Sequence, residues 1–193
     1  MNNYEQGNEV SFNSCLESSV FNKKESVEHL YDMPPTVLWS VCAKLFKRII
    51  IKEFFSTKYF MGEDRLFLVT YCMNIKNAVY LNQPLYHVFN RGDSITRKDP
   101  GKKVYGLVSE RETIEVARSI DKECGMLAER MYLNQCIRYY KKGKKHHTVY
   151  QSIVIEEFTT YFKSNIIQIL NNHTLFWKFK VLLIYYYLLL RIH

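Results

Sequence analysis

Two adjacent carboxylates, Glu63 and Asp64, stand directly after Gly62 and ahead of an apolar series of Leu66, Phe67, Val69, Thr70, Tyr71 and Met73. Paired carboxylates suit general acid–base chemistry, because one can be held at a cleft to take a proton while the other caps or orients. The same placement also serves a structural end, since two acids in the first turn of a helix complement its dipole. Spacing alone leaves both readings open. His146-His147 lies beside Lys144-Lys145 and reads as a solvated basic turn rather than a metal site. The five cysteines (Cys15, Cys42, Cys72, Cys124, Cys136) are scattered, with no CxxC pair. They indicate neither a disulfide framework nor a zinc site and read as small buried apolar residues in a reducing compartment. No glycine-rich phosphate loop, GxSxG or HExxH occurs.

The elements that must position the acidic pair follow from the apolar patterning. The chain has 193 residues, 47% hydrophobic and 24% charged, which is ordinary globular usage and excludes disordered and low-complexity classes. With 15 Tyr, 12 Phe and 2 Trp against 7 Gly and 4 Pro, it can bury a sizeable core in regular elements. Residues 1–35 read as a polar lead-in, with an amphipathic stretch at Val10, Phe12, Cys15 and Leu16 and a break at Pro34-Pro35. The dense β-branched run 37–46 predicts a strand, followed by a short helical turn over 48–53. A buried helix follows Gly62, then strands at 78–81 and 85–89, and a turn at Arg91-Gly92-Asp93-Ser94. A composition shift at Asp99-Pro100-Gly101 marks a domain boundary. Beyond it, Ser109-x-x-Glu112 predicts a capping box opening a helix through Ala117, Ile120, Cys124, Leu127 and Met131, which stops at Lys141-Lys142-Gly143. A second helix is expected over 151–170 with Val154, Phe158, Tyr161 and Phe162 inward, and a third over 175–190.

Charge is uneven along the chain. From Arg138 onward there are nine basic residues against Glu156 and Glu157, so nearly all of the net charge of +8 falls in this tail. Such asymmetry points to an anionic partner. The segment from Trp177 to Ile192 combines Leu, Ile and aromatic residues with Lys178, Lys180 and Arg191. That mixture favours an anionic membrane surface over nucleic acid, which is the less expected partner. Against both stands the plainer reading that 181–190 is a core helix. This run of ten apolar residues is short of the ~18–20 that a bilayer-spanning helix needs. With no basic and apolar leader at Met1, the expected location is cytoplasmic, with peripheral attachment at the inner face of the plasma membrane as its extension.

Four motifs occur in order: Trp39 through Lys44-Leu45-Phe46-Lys47-Arg48, then Gly62-Glu63-Asp64, then Val79-Tyr80-Leu81 with Pro84-Leu85-Tyr86, then Arg91-Gly92-Asp93-Ser94-Ile95-Thr96. Over residues 36–97 this order resembles the C-terminal half of family 2 glycosyltransferases, the inverting GT-A enzymes that build bacterial surface polysaccharides. The resemblance implies an α/β fold. Residues 36–100 would be a partial, acceptor-side GT-A-like half with short strands, and residues 101–193 a helical C-terminal extension with a basic aromatic tail. It implies that Asp64 is the general base, that Glu63 binds or orients the acceptor, and that Trp39 is a sugar-stacking face, though a core role suits Trp39 equally. The acceptor would be a glycan or a lipid-linked sugar.

The sequence departs from the family pattern on the donor side. It contains no Asp-x-Asp, and only some 35 polar residues precede the matching region. The parts that would hold a nucleotide-sugar and its manganese or magnesium ion are therefore expected from a separate donor-half polypeptide. The chain by itself is expected to bind no cofactor and to be a truncated or split transferase, inactive alone. The alternative is a non-catalytic membrane-surface or assembly module that works through its tail.

Overall fold

The computed structural model describes residues 17–31, 39–52, 58–59, 61–83, 85, 100–143 and 149–191. These residues are mostly helical, with one two-stranded antiparallel sheet, a mixture of helix and strand. The amphipathic stretch at 10–16, the strand expected beyond Leu85, the turn at 91–94 and the His146-His147 turn lie outside them.

The chain enters through β1 (Ser19–Asn22), which pairs with β2 (Asn77–Tyr80) in the register Ser19↔Tyr80 and Asn22↔Asn77. Two strands alone are marginal, and this pair is anchored by Phe21, whose buried ring lies 4.1 Å from that of His29. Asn22 then caps α1 (Lys23–Glu28) in a capping box: its side chain accepts from Glu25 N at 3.0 Å, and Glu25 Oε2 accepts from Asn22 N at 2.8 Å. Val27, Leu30 and Tyr31 enter the core. The stretch expected as a polar lead-in thus supplies a strand, a helix and core side chains.

No strand forms over 39–46; the chain runs as turns and extended loop into a 3₁₀ turn, Arg48–Ile50. The physical reason is that its backbone donors go to side chains rather than to a neighbouring strand. Val41 N donates to Asp64 Oδ2 at 3.4 Å and Lys47 N to Tyr71 Oη at 2.9 Å. Phe46 turns inward, edge-on to Phe67 and Tyr71, while Leu45 is fully exposed.

The expected buried helix is α2 (Glu63–Asn74), with Phe67, Leu68, Val69 and Cys72 inward. After a 3₁₀ segment, Pro100–Tyr105, two helices replace the single one expected: α3 (Gly106–Ile120) and α4 (Lys122–Gly143). Asp121 separates them with an extended backbone, and its carboxylate accepts from Glu123 N at 2.8 Å. That backbone hydrogen bond, helped by Lys24 at 3.3 Å, holds the Asp121 carboxyl below its usual pKa. Ser109 is not a cap, because α3 begins three residues earlier. Its hydroxyl lies within reach of the carbonyls of Met61, at 3.0 Å, and Gly106, at 2.9 Å.

The helix expected over 151–170 is α5 (Val149–Asn171), kinked at Asn165, with Val154, Phe158, Tyr161 and Phe162 buried. The third is α6 (Trp177–Arg191). Leu183 and Leu190 face the core, and Tyr186 and Tyr187 pack on Tyr140 and Phe162. A single hydrophobic cluster runs from Val27 to Leu190, and α2 packs directly on α3, so the core is continuous across the boundary expected at 99–101.

Within this core Glu129 is wholly buried. Its carboxyl accepts from Tyr161 Oη at 2.8 Å, Asn172 Nδ2 at 2.8 Å and Gln168 Nε2, with Arg118 at 3.7 Å. Asn172 also donates to Met126 O at 3.0 Å. The α5–α6 turn is thereby fastened to α4. Glu129→Ala takes this acceptor from two buried donors, Tyr161 and Asn172, and from the partly buried Gln168, and is expected to cost about 4 kcal/mol in urea unfolding.

Candidate functional site

Gly62 opens α2 in the left-handed region (φ 82°), and a Cβ there would run into Ser109 Oγ. Only glycine meets both demands without strain. The close approach to α3 leaves Glu63 and Asp64 in the first turn of α2, both partly buried. The two carboxylates separate. Asp64 turns to the 39–47 loop through its contact with Val41 N, near the partly buried Lys44, whose Nζ donates to Ser40 O at 2.6 Å. Burial lowers the pKa of Lys44, opposed by the thiol of Cys42 and by Asp64. Glu63 has one carboxyl oxygen, Oε2, buried without a hydrogen-bond partner among the described residues. In the same loop Ala43 adopts φ 60°, uncommon for a non-glycine residue.

Trp39 stands beside the pair, held twice. Its indole N–H donates to Leu30 O, and the Arg65 guanidinium covers its ring at 3.9 Å from the centroid. Arg65 in turn pairs with Glu110 of α3 at 2.9 Å, both side chains only 9% exposed. Arg65 Nε, Glu110 Oε2 and the Tyr31 hydroxyl are buried without hydrogen-bond partners among the described residues. Burial raises the pKa of Glu110, with Arg65 the main opposing influence and Gln135 a second. Burial likewise pushes the Tyr31 hydroxyl up.

The structure thus brings Trp39, Glu63 and Asp64 to one end of α2. Arg65 and Glu110, which sequence reasoning passed over, fix Trp39 and the start of α2 there, with the buried Tyr31 in the same core. Their signal was present: Glu110 stands on the same helical stripe as Leu107, Ile114 and Ala117, a charge at a core position. Of the cysteines, Cys72, Cys124 and Cys136 are buried, and burial pushes the Cys72 and Cys124 thiols up to about 12. Cys42 is exposed.

Among the described residues no three His, Cys, Asp or Glu side chains converge on a point that could hold a metal ion. The divalent cation implied by the sequence resemblance therefore has no donor set among the described residues. A separate open groove of about 390 Å³ runs between α3 and α5, lined by Arg111, Glu112, Glu115 and Ser164 among others. Compared with known proteins, the chain matches no family model, no curated protein and no solved structure.

Removing one partner of a buried pair strands the other. Arg65→Met alone is expected to cost about 3–5 kcal/mol, and the double change Arg65→Met with Glu110→Leu to recover most of it, read by a double-mutant cycle in urea. The raised pKa of Glu110 means that the folded chain holds the proton more tightly than the unfolded one. This group's contribution to stability is therefore greatest below the ordinary carboxyl pKa and declines as pH rises through the folded value. In pH-dependent thermal unfolding, Glu110→Gln is expected to flatten that decline.

Proposed function

We propose that residues 36–97 form the acceptor side of a family 2 inverting glycosyltransferase of surface-polysaccharide synthesis, with the donor side supplied by polypeptide outside these 193 residues. The observation that carries this reading is the placement of the acidic pair: Gly62 in its left-handed turn, Glu63 and Asp64 opening α2, and the loop after Trp39 packed across them. A helix N-terminus beside a loop is a place where a carboxylate can meet a hydroxyl from outside.

Asp64 is the general base. It takes the proton of an acceptor sugar hydroxyl as that oxygen attacks the anomeric carbon of a nucleotide-sugar, whose nucleoside diphosphate leaves from the opposite face. A single displacement of this kind inverts the anomeric centre, and a weakly nucleophilic hydroxyl needs a positioned base for it. Glu63, with one carboxyl oxygen unpartnered among the described residues, has the acceptor capacity to orient the sugar. Trp39 has one ring face covered by Arg65, so only its other face remains for stacking on a glycan or lipid-linked sugar.

The isolated chain is expected to turn over no nucleotide-sugar with manganese present, and turnover by the chain alone would refute the half-site reading. Supplied with a donor-side polypeptide that carries a nucleotide fold, it is expected to transfer. In that assay Asp64→Asn should lower kcat about a hundred- to ten-thousandfold, whereas Glu63→Gln should act mainly on the acceptor KM. An unchanged kcat in Asp64→Asn removes Asp64 as the base.

A further inference from the structure

The inner and outer faces of α6 differ sharply. Leu183 and Leu190 are buried, whereas Trp177, Val181, Tyr185 and Leu188 are 69%, 56%, 57% and 56% exposed. At the ~100° per residue of an α-helix these four positions fall within about 80° of one another, on the side opposite Leu183 and Leu190. They form one apolar stripe that no other described element covers, with Lys178 Nζ 5.7 Å from the centre of the Trp177 ring. Cations flank the stripe on both sides, Lys178 on one and Lys180 and Arg191 on the other. No acidic residue follows Glu157 in the sequence. Lys180 reaches back to Leu170 O at 2.6 Å, which ties the start of α6 to the last turns of α5. There Ile167 is 74% exposed, and Phe176, next to Trp177, is 84% exposed.

We infer that this outer face of α6 is a docking surface for an anionic lipid bilayer, with the helix lying in the plane of the headgroups. The occupant is identified by charge and shape. A stripe of Trp, Val, Tyr and Leu between rows of cations, with no anion on the whole segment, complements a surface that is negative outside and apolar beneath. An anionic protein or nucleic acid would satisfy the cations but leave the stripe in water. The described helices include none long and apolar enough to cross a membrane, so the contact is parallel to the surface. The inner face of α6 is committed to the core, which holds the helix in its folded form before it docks. The inference stands on residues remote from Asp64 and holds or fails independently of the transferase reading.

The test is co-sedimentation of the full chain with vesicles of phosphatidylglycerol and phosphatidylcholine, set against pure phosphatidylcholine. Binding is expected only with the anionic lipid and is expected to weaken as salt rises. Trp177→Ser, Tyr185→Ser and Leu188→Ser together should lower partitioning on the order of a hundredfold. Lys178→Gln with Arg191→Gln should lower it about 25-fold. Both variants should keep the wild-type circular dichroism and thermal midpoint, because every replaced side chain is mainly exposed. Absence of binding, equal binding to neutral vesicles, or binding that survives the serine variant overturns the inference. So does a chain that ignores vesicles but self-associates, or binds nucleic acid, through the same stripe in analytical ultracentrifugation.

Discussion

The pairing of Arg65 with Glu110 is the constraint on which the rest of the candidate site depends. Two charged side chains meet in the apolar seam between α2 and α3, where each is tolerable only because the other is present. Arg65 also lies flat against Trp39, and Trp39 is bonded to Leu30 at the end of α1. One guanidinium thus fixes the relation of three segments far apart in sequence. Glu63 and Asp64 immediately precede it on the same turn, so their position is inherited from its own.

A second polar centre, around Glu129, does for the C-terminal helices what Arg65 does for α2, with a different balance. Glu129 meets donors from α5 and from the turn before α6, and one of them, Asn172, is itself bonded onward to Met126 O. The Arg65 centre keeps several buried polar atoms without partners among the described residues. A satisfied network makes for a rigid frame, whereas an incompletely satisfied one leaves hydrogen-bonding capacity at the place where the acidic pair emerges. The molecule therefore combines a firm helical base with a less settled polar seam beside its candidate site.

Helix existence was legible in the sequence wherever apolar residues recurred at three- and four-residue spacing. The elements α2, α5 and α6 stand close to their expected limits, and the stop at Gly143 is where the two lysines and the glycine indicated. What escaped the pattern has identifiable causes. The run 37–46 has strand-like composition, but Val41 N is taken by Asp64 and, just beyond the run, Lys47 N by Tyr71, partners that no local window contains. Ser109 has the spacing of a cap, yet tertiary contact with Met61 and Gly106 claims its hydroxyl. Asp121 interrupts an apolar period that would otherwise continue, because its own side chain offers the next helix a better start. The acidic pair was visible from its type and spacing, whereas the residues that fix it, Arg65 and Glu110, come from elements more than forty positions apart.

The position of β1 and α1 within the fold bears on the order in which a nascent chain can complete it. Both elements are made ahead of their partners, and β1 has its partner in β2, more than fifty residues later. The end of α1 is bonded to α4, where Arg130 donates to Tyr31 O across a separation of 99 residues. This segment can therefore pair with β2 once that strand has emerged, but its anchorage is complete only when α4 has followed. Trp39 is anchored to that same segment, so the surroundings of the acidic pair mature only after most of the helical frame has been made.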